Sequence, residues 1–208
     1  RDNCQIFNEL IKLSMEKIEL KPASVFHYFE EICKVPRPSK KEEKIIAYLM
    51  DFAEKQGLEA KKDEAGNILI KKPATAGLEN LKTVILQSHI DMVCEKNSDS
   101  NHDFLNDPIE TYIDGEWLKA KGTTLGADNG IGMATQLAIL AADDIQHGPL
   151  ECLFTVDEET GLTFLIMPVE SSNDNFAIAL KWLVDIHHYS TVDSIEIDPY
   201  TGKIVNIY

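Results

Sequence analysis

Two short apolar runs, Thr83-Val84-Ile85-Leu86 and Cys152-Leu153-Phe154-Thr155-Val156, each break off into residues of types that carry charge or are capable of binding metal. This pairing constrains the fold more than any other feature of the chain. The first run continues as Gln87-Ser88-His89-Ile90-Asp91 and the second as Asp157-Glu158-Glu159. A β-branched run such as Thr83 to Leu86 predicts a strand covered on both faces. Between the two runs, Gly122-Thr123-Thr124-Leu125-Gly126-Ala127-Asp128-Asn129-Gly130 reads as a glycine-rich loop and Ile131 to Ala142 as an Ala-rich helix. Strands alternating with helices predict an α/β layered fold. Open α/β sheets bind ligands beyond the carboxyl ends of their strands, so the two polar strand ends mark the expected site.

The remaining segments supply the frame. Ser39-Lys40-Lys41-Glu42 has the form of a capping box, opening a helix through Ile45, Ile46, Leu49, Phe52 and Ala53 that closes at Gly57. Val25 to Ile32 predicts a shorter helix ahead of it, with Pro36 and Pro38 punctuating the connection. Asp63-Glu64-Ala65-Gly66-Asn67 predicts a turn into a strand, Ile68 to Ile70, and Pro73 to Asn80 a loop. Thr111 to Lys119 predicts a hairpin turning at Asp114-Gly115. A second hairpin is expected where Asp198-Pro199-Tyr200-Thr201-Gly202 separates Ser194–Ile197 from Lys203–Ile207. Residues 164–175 show no clean period.

Composition excludes several classes. With 44% apolar positions in 208 residues, the chain can bury a core and is not a disordered tail. Lys and Arg total 20 against 35 Asp and Glu, a net charge of −15, which repels nucleic-acid phosphates and anionic lipid alike. No nucleic-acid or membrane partner is expected. No apolar run approaches the roughly 20 residues that span a bilayer. Cys4, Cys33, Cys94 and Cys152 are too dispersed for a thiolate zinc knuckle or a disulfide framework, which suits a reducing, cytoplasmic setting. The chain opens with Arg1, which suits a fragment or a leader, with Met15 as a candidate natural start.

Each chemical residue has a plain structural reading beside the functional one. A His89-x-Asp91 pair is commonly a hydrogen-bonded couple, and equally the arrangement in which a carboxylate orients a metal-binding imidazole. Asp128 beside glycine suits a turn or helix cap, and equally a bridge between two cations. Glu158 and Glu159 form an acidic turn; in extended chain they face opposite ways, one free to bind metal and the other to take a proton from water. Three such sites at strand and loop ends argue against coincidence.

Three stretches then combine into a recognisable pattern. Leu86-Gln87-Ser88-His89-Ile90-Asp91-Met92-Val93-Cys94, Gly122 to Gly132, and Phe154-Thr155-Val156-Asp157-Glu158-Glu159-Thr160-Gly161 resemble the motifs of the aminoacyl-histidine dipeptidase family, the cytosolic non-specific dipeptidases. That family lies within the zinc-dependent superfamily of aminoacylase, carnosinase and peptidase T. Phe29-Glu30-Glu31-Ile32-Cys33 and Pro36-Arg37-Pro38-Ser39 extend the likeness, so it covers about residues 21–163. It implies a mixed sheet flanked by helices, a truncated zinc-peptidase catalytic domain without the lid domain. It further implies an N-terminal extension over 1–20 and a divergent segment over 164–208.

By the same resemblance His89, Asp128 and Glu159 bind metal, with Asp128 bridging two ions, Asp91 orienting His89 and Glu158 acting as general base. The cofactor implied is Zn2+ at two sites, with Co2+ or Mn2+ as substitutes. The substrate implied is a dipeptide, Xaa-His or of broad specificity, hydrolysed by a zinc-activated water. The family's next Asp ligand and its distal His have no matching motif here; Asp185 stands near the first place in unmatched surroundings. The alternative is therefore an inactive fragment or binding module that retains the fold. Loss of later strands implies an exposed sheet edge and self-association or a homodimer, unless residues 164–208 cover that edge.

Overall fold

The computed structural model describes residues 20–160 and, as backbone, the strands Ile195–Ile197 and Ile204–Ile207. The chain divides into two compact units, residues 1–163 and 164–208. In the first, helices α1 (Ala23–Cys33) and α2 (Glu43–Lys55) precede strands β1 (Glu59–Lys62), β2 (Ile68–Lys72) and β3 (Val84–His89). A hairpin, β4 (Thr111–Asp114) and β5 (Trp117–Ala120), leads to helix α3 (Ala127–Ala141) and strand β6 (Leu150–Thr155). In the second unit β7 (Ile195–Ile197) and β8 (Ile204–Ile207) pair antiparallel, the hairpin that the sequence predicts.

One mixed four-stranded sheet runs β1-β2-β6-β3, with β1, β2 and β6 successively antiparallel and β3 parallel to β6. Every residue of β6 is buried, as an interior strand requires. Its register sets Ile68 opposite Phe154 and Ile70 opposite Cys152. Side chains alternate across a sheet, so these four share one face and join Phe29, Ile32, Leu49, Met133 and Leu137 in the main core. Leu69 opposite Leu153, both buried, covers the other face. Helix α3 packs on β3 and α1, while α2 packs on β1 and β2. Lys72 of β2 donates from Nζ to the carbonyls of Ile139 (2.9 Å) and Ala142, satisfying acceptors that the end of α3 leaves open.

Two local expectations are corrected and one strand is added. The run from Thr83 is not covered on both faces: β3 is an edge among the described strands, Val84 is 50% exposed and Gln87 is exposed. Its β-branched composition reflects strand propensity rather than burial. Ser39 to Glu42 is no capping box either. Helix α2 starts after Glu42 without a side-chain cap, and both residues turn to tertiary partners: Ser39 Oγ donates to Asp91 Oδ2 at 2.7 Å, and Glu42 Oε1 accepts from the Asp157 amide at 3.0 Å. Finally, β1 was invisible in the sequence because Glu59-Ala60-Lys61-Lys62 is polar and mostly exposed; pairing with β2 makes it a strand. The β4–β5 hairpin turns as predicted, with Asp114 paired to Trp117 and Gly115 at φ 60°.

Candidate metal centre

Parallel pairing of β3 with β6 carries His89 level with Thr155, and the Ile90 amide extends the ladder to the Thr155 carbonyl at 2.8 Å. The two polar strand ends therefore emerge side by side. Beyond β6 the chain does not stay extended, because Asp157 takes a left-handed backbone with φ 57°. The turn brings the amides of Glu158 and Glu159 onto Asp91, donating to Oδ1 at 3.1 Å and Oδ2 at 3.0 Å. This overturns the expectation that the two glutamates face opposite ways. One oxygen from each lies within 4.8 Å of the other and of a His89 ring nitrogen.

Asp128 arrives from the glycine-rich loop. Gly126 sits at φ 68°, ψ 34°, a left-handed conformation that favours glycine. Asp128 (φ −89°, ψ 115°) and Asn129 depart from helical geometry at the head of α3, and the peptide bond between them is cis. The Asp128 side chain is 90% exposed, yet its Oδ1 stands 3.2 Å from His89 Nε2. Glu158 Oε2 approaches the same nitrogen at 3.8 Å. At the other ring nitrogen, His89 Nδ1 lies 3.2 Å from both the carbonyl and Oδ1 of Asp91. All five residues singled out in the sequence, His89, Asp91, Asp128, Glu158 and Glu159, thus meet around one imidazole.

Electrostatics follow from this crowding. Burial raises the cost of ionising Asp91, but hydrogen bonds from His89, Ser39 and the two glutamate amides outweigh it and hold its pKa down to about 2. Burial disfavours a charged His89, and the carboxylates of Asp91, Glu158 and Asp128 more than compensate, raising its pKa. Partial desolvation raises the pKa of Glu159; His89 opposes that, while Glu158, Asp91 and Asp128 add to it. Carboxylates gathered on one imidazole edge repel each other unless a cation lies among them. Mixed imidazole and carboxylate donors, with Nδ1 held by a carboxylate and Nε2 turned to the acidic side, suit a divalent metal ion.

The sequence reading missed the supports. Arg37, 2% exposed, donates to the carbonyls of Ile90 (3.2 Å), Asp91 (3.0 Å) and Gly126 (2.5 Å). Ser39 and Glu42 brace Asp91 and Asp157, and Glu42 forms with those two a buried carboxylate group behind the first. Burial raises the Glu42 pKa despite the backbone bonds it accepts. Only the Pro36-Arg37-Pro38-Ser39 string hinted at them, and it offers no sign of acceptors more than fifty residues away.

The model of peptidase family M20/M25/M40 matches residues 85–197, past the point near Thr163 where the motif likeness stops. The chain is 54% identical over 147 residues to the cytosol non-specific dipeptidase of Escherichia coli, a match covering 71% of this chain and 30% of that protein. The crystal structure of aminoacylhistidine dipeptidase from Vibrio alginolyticus is also 54% identical, with a TM-score of 0.72 over 74% of this chain and 32% of that one. Aminopeptidase PepT from Bacillus cereus is 25% identical, with a TM-score of 0.54 over 66% of this chain and 37% of that one. The chain thus spans about a third of the length of these relatives.

Proposed function

The chain belongs to peptidase family M20/M25/M40, and from that premise we propose that it carries the metal-binding core of a dipeptidase acting on Xaa-His or a broader range of dipeptides in the cytoplasm. The observation that supports this best is the meeting of Asp128 and Glu158 at His89 Nε2 while Asp91 takes Nδ1. In this reading His89, Asp128 and Glu159 hold Zn2+, with Co2+ or Mn2+ as substitutes. When bound, the metal supplies Lewis acidity, polarising a peptide carbonyl and lowering the pKa of water. Asp91 keeps His89 in the tautomer that leaves Nε2 unprotonated and fixes the ring plane. Glu158 takes the proton of the attacking water and returns it to the leaving amine. Its amide is anchored on Asp91, so the carboxylate stays poised at the His89 edge.

Hydrolysis of an Xaa-His dipeptide by the zinc-loaded chain, read beside calorimetric zinc titration, tests the assignment. Glu158→Gln is expected to cost about 10²–10⁴ in turnover with zinc uptake retained. Near-normal turnover in that variant refutes the general-base role, and a wild-type chain that takes up no zinc refutes the metal centre.

A further inference from the structure

Asp128 presents a physical problem. Its carboxylate is 90% exposed, so surrounding side chains do little to hold it, yet it must stay within reach of His89 Nε2. Its position therefore depends on the backbone of the Gly126 loop. The Gly126 carbonyl closes the first turn of α3 by accepting from the Gly130 amide at 3.2 Å, and it also accepts from Arg37 Nη2 at 2.5 Å. The other arm of the same guanidinium, Nη1, donates to the carbonyls of Ile90 and Asp91. The Asp91 carbonyl is the one that also faces His89 Nδ1. One planar group thus ties the strand end that carries His89 to the loop that carries Asp128.

The loop is built around this contact. A Cβ added at Gly126 stands 2.5 Å from Arg37 Nη2, and one added at Gly130 stands 2.7 Å from it, so both glycines make room for the guanidinium. Main-chain bonding keeps Arg37 itself in place: the Met92 amide donates to the Arg37 carbonyl at 3.2 Å, and Pro38 bridges to Met92.

We propose that Arg37 is a positioning residue that sets the reach of Asp128 to the His89 edge of the metal centre, an inference that rests on the metal-binding reading of Asp128. Lysine cannot replace it, because an ammonium group is a point donor without the rigid fork that spans acceptors on two segments.

A thermodynamic cycle on the full chain, read as Co2+ affinity by calorimetry, tests the proposal. Asp128→Asn and Arg37→Lys are each expected to weaken Co2+ binding at least tenfold. If Arg37 acts through Asp128, adding Asp128→Asn to Arg37→Lys costs less than a further threefold. Gly130→Ala gives a second cycle should Arg37→Lys fail to fold. Alanine favours a helix over glycine, so a loss there comes from crowding Arg37 Nη2 at 2.7 Å and the Phe29 ring at 3.0 Å, and only the part that disappears in the Asp128→Asn background reports on the guanidinium. Full additivity in the cycles overturns the positioning role and assigns Arg37 to general stability. Unchanged Co2+ binding in Asp128→Asn alone overturns the metal-binding reading of that residue, and the positioning role with it.

Discussion

The Asp91 carboxylate gathers His89 Nδ1, Ser39 Oγ and the amides of Glu158 and Glu159, drawn from the strand end, the segment before α2 and the turn after β6. It is fully buried, and only the ionised form satisfies all four neighbours. Its pKa of about 2 against an ordinary 3.8 means that folding favours the charged form. The stability this contributes is present above pH 4 and is lost as pH falls through 2, and its size is about 2 kcal/mol. In the metal-free chain Asp91→Asn is therefore expected to lower the urea unfolding free energy by about 2 kcal/mol at pH 7. The gap from wild type should narrow between pH 4 and pH 2. A gap that holds constant over that range contradicts the linkage. Asp91 was legible in the sequence through its spacing from His89, whereas Ser39 and Arg37 were not. Ser39 carried a local capping signal that a tertiary hydrogen bond overrode, and the acceptors of Arg37 are carbonyls, which every residue has.

At the level of elements, β6 and β3 show how similar apolar composition leads to different burial. Strand β6 lies between β2 and β3 and is buried along its length; β3 has β6 on one side and is the outer strand of the described sheet. Val84 (50% exposed) and nearby Leu81 (54%) leave apolar surface next to that edge. Unpaired edge groups beside apolar side chains template pairing with another chain, and a charged residue suppresses it. The wild-type chain is expected to show concentration-dependent self-association in light scattering after size exclusion, and Val84→Lys to shift it toward monomer. Equal association of the two proteins places the contact elsewhere. Hydropathy alone cannot distinguish these strands, because an edge is defined by which neighbours are present and not by the residues of the strand itself.

For the whole molecule, a net charge of −15 sets the background on which the site works. Carboxylate self-repulsion destabilises the compact state, and a divalent cation bound among His89, Asp128, Glu158 and Glu159 relieves it locally. Binding to the folded state alone stabilises by about 2.7 kcal/mol at a hundredfold excess over Kd. For a chain of this size that corresponds to a rise of about 5–10 °C in the unfolding midpoint. Zinc is expected to raise the midpoint of wild type by this order and that of Asp128→Asn by less, as read by scanning calorimetry, with EDTA reversing both. Equal shifts in the two proteins indicate that the ion binds away from the His89 edge.

Local chemistry written along the chain was enough to place helices α1 to α3, strands β2, β3 and β6 and the Asp114-Gly115 turn, and to single out His89, Asp91, Asp128, Glu158 and Glu159 as candidates, since periodicity, turn residues and donor types are properties of short segments. Tertiary structure alone decided the rest. Parallel pairing of β3 with β6 set two distant strand ends level, and the left-handed Asp157 turned both glutamates the same way. Arg37, Ser39 and Glu42 became supports of the site because their partners are brought to them only when the chain closes on itself.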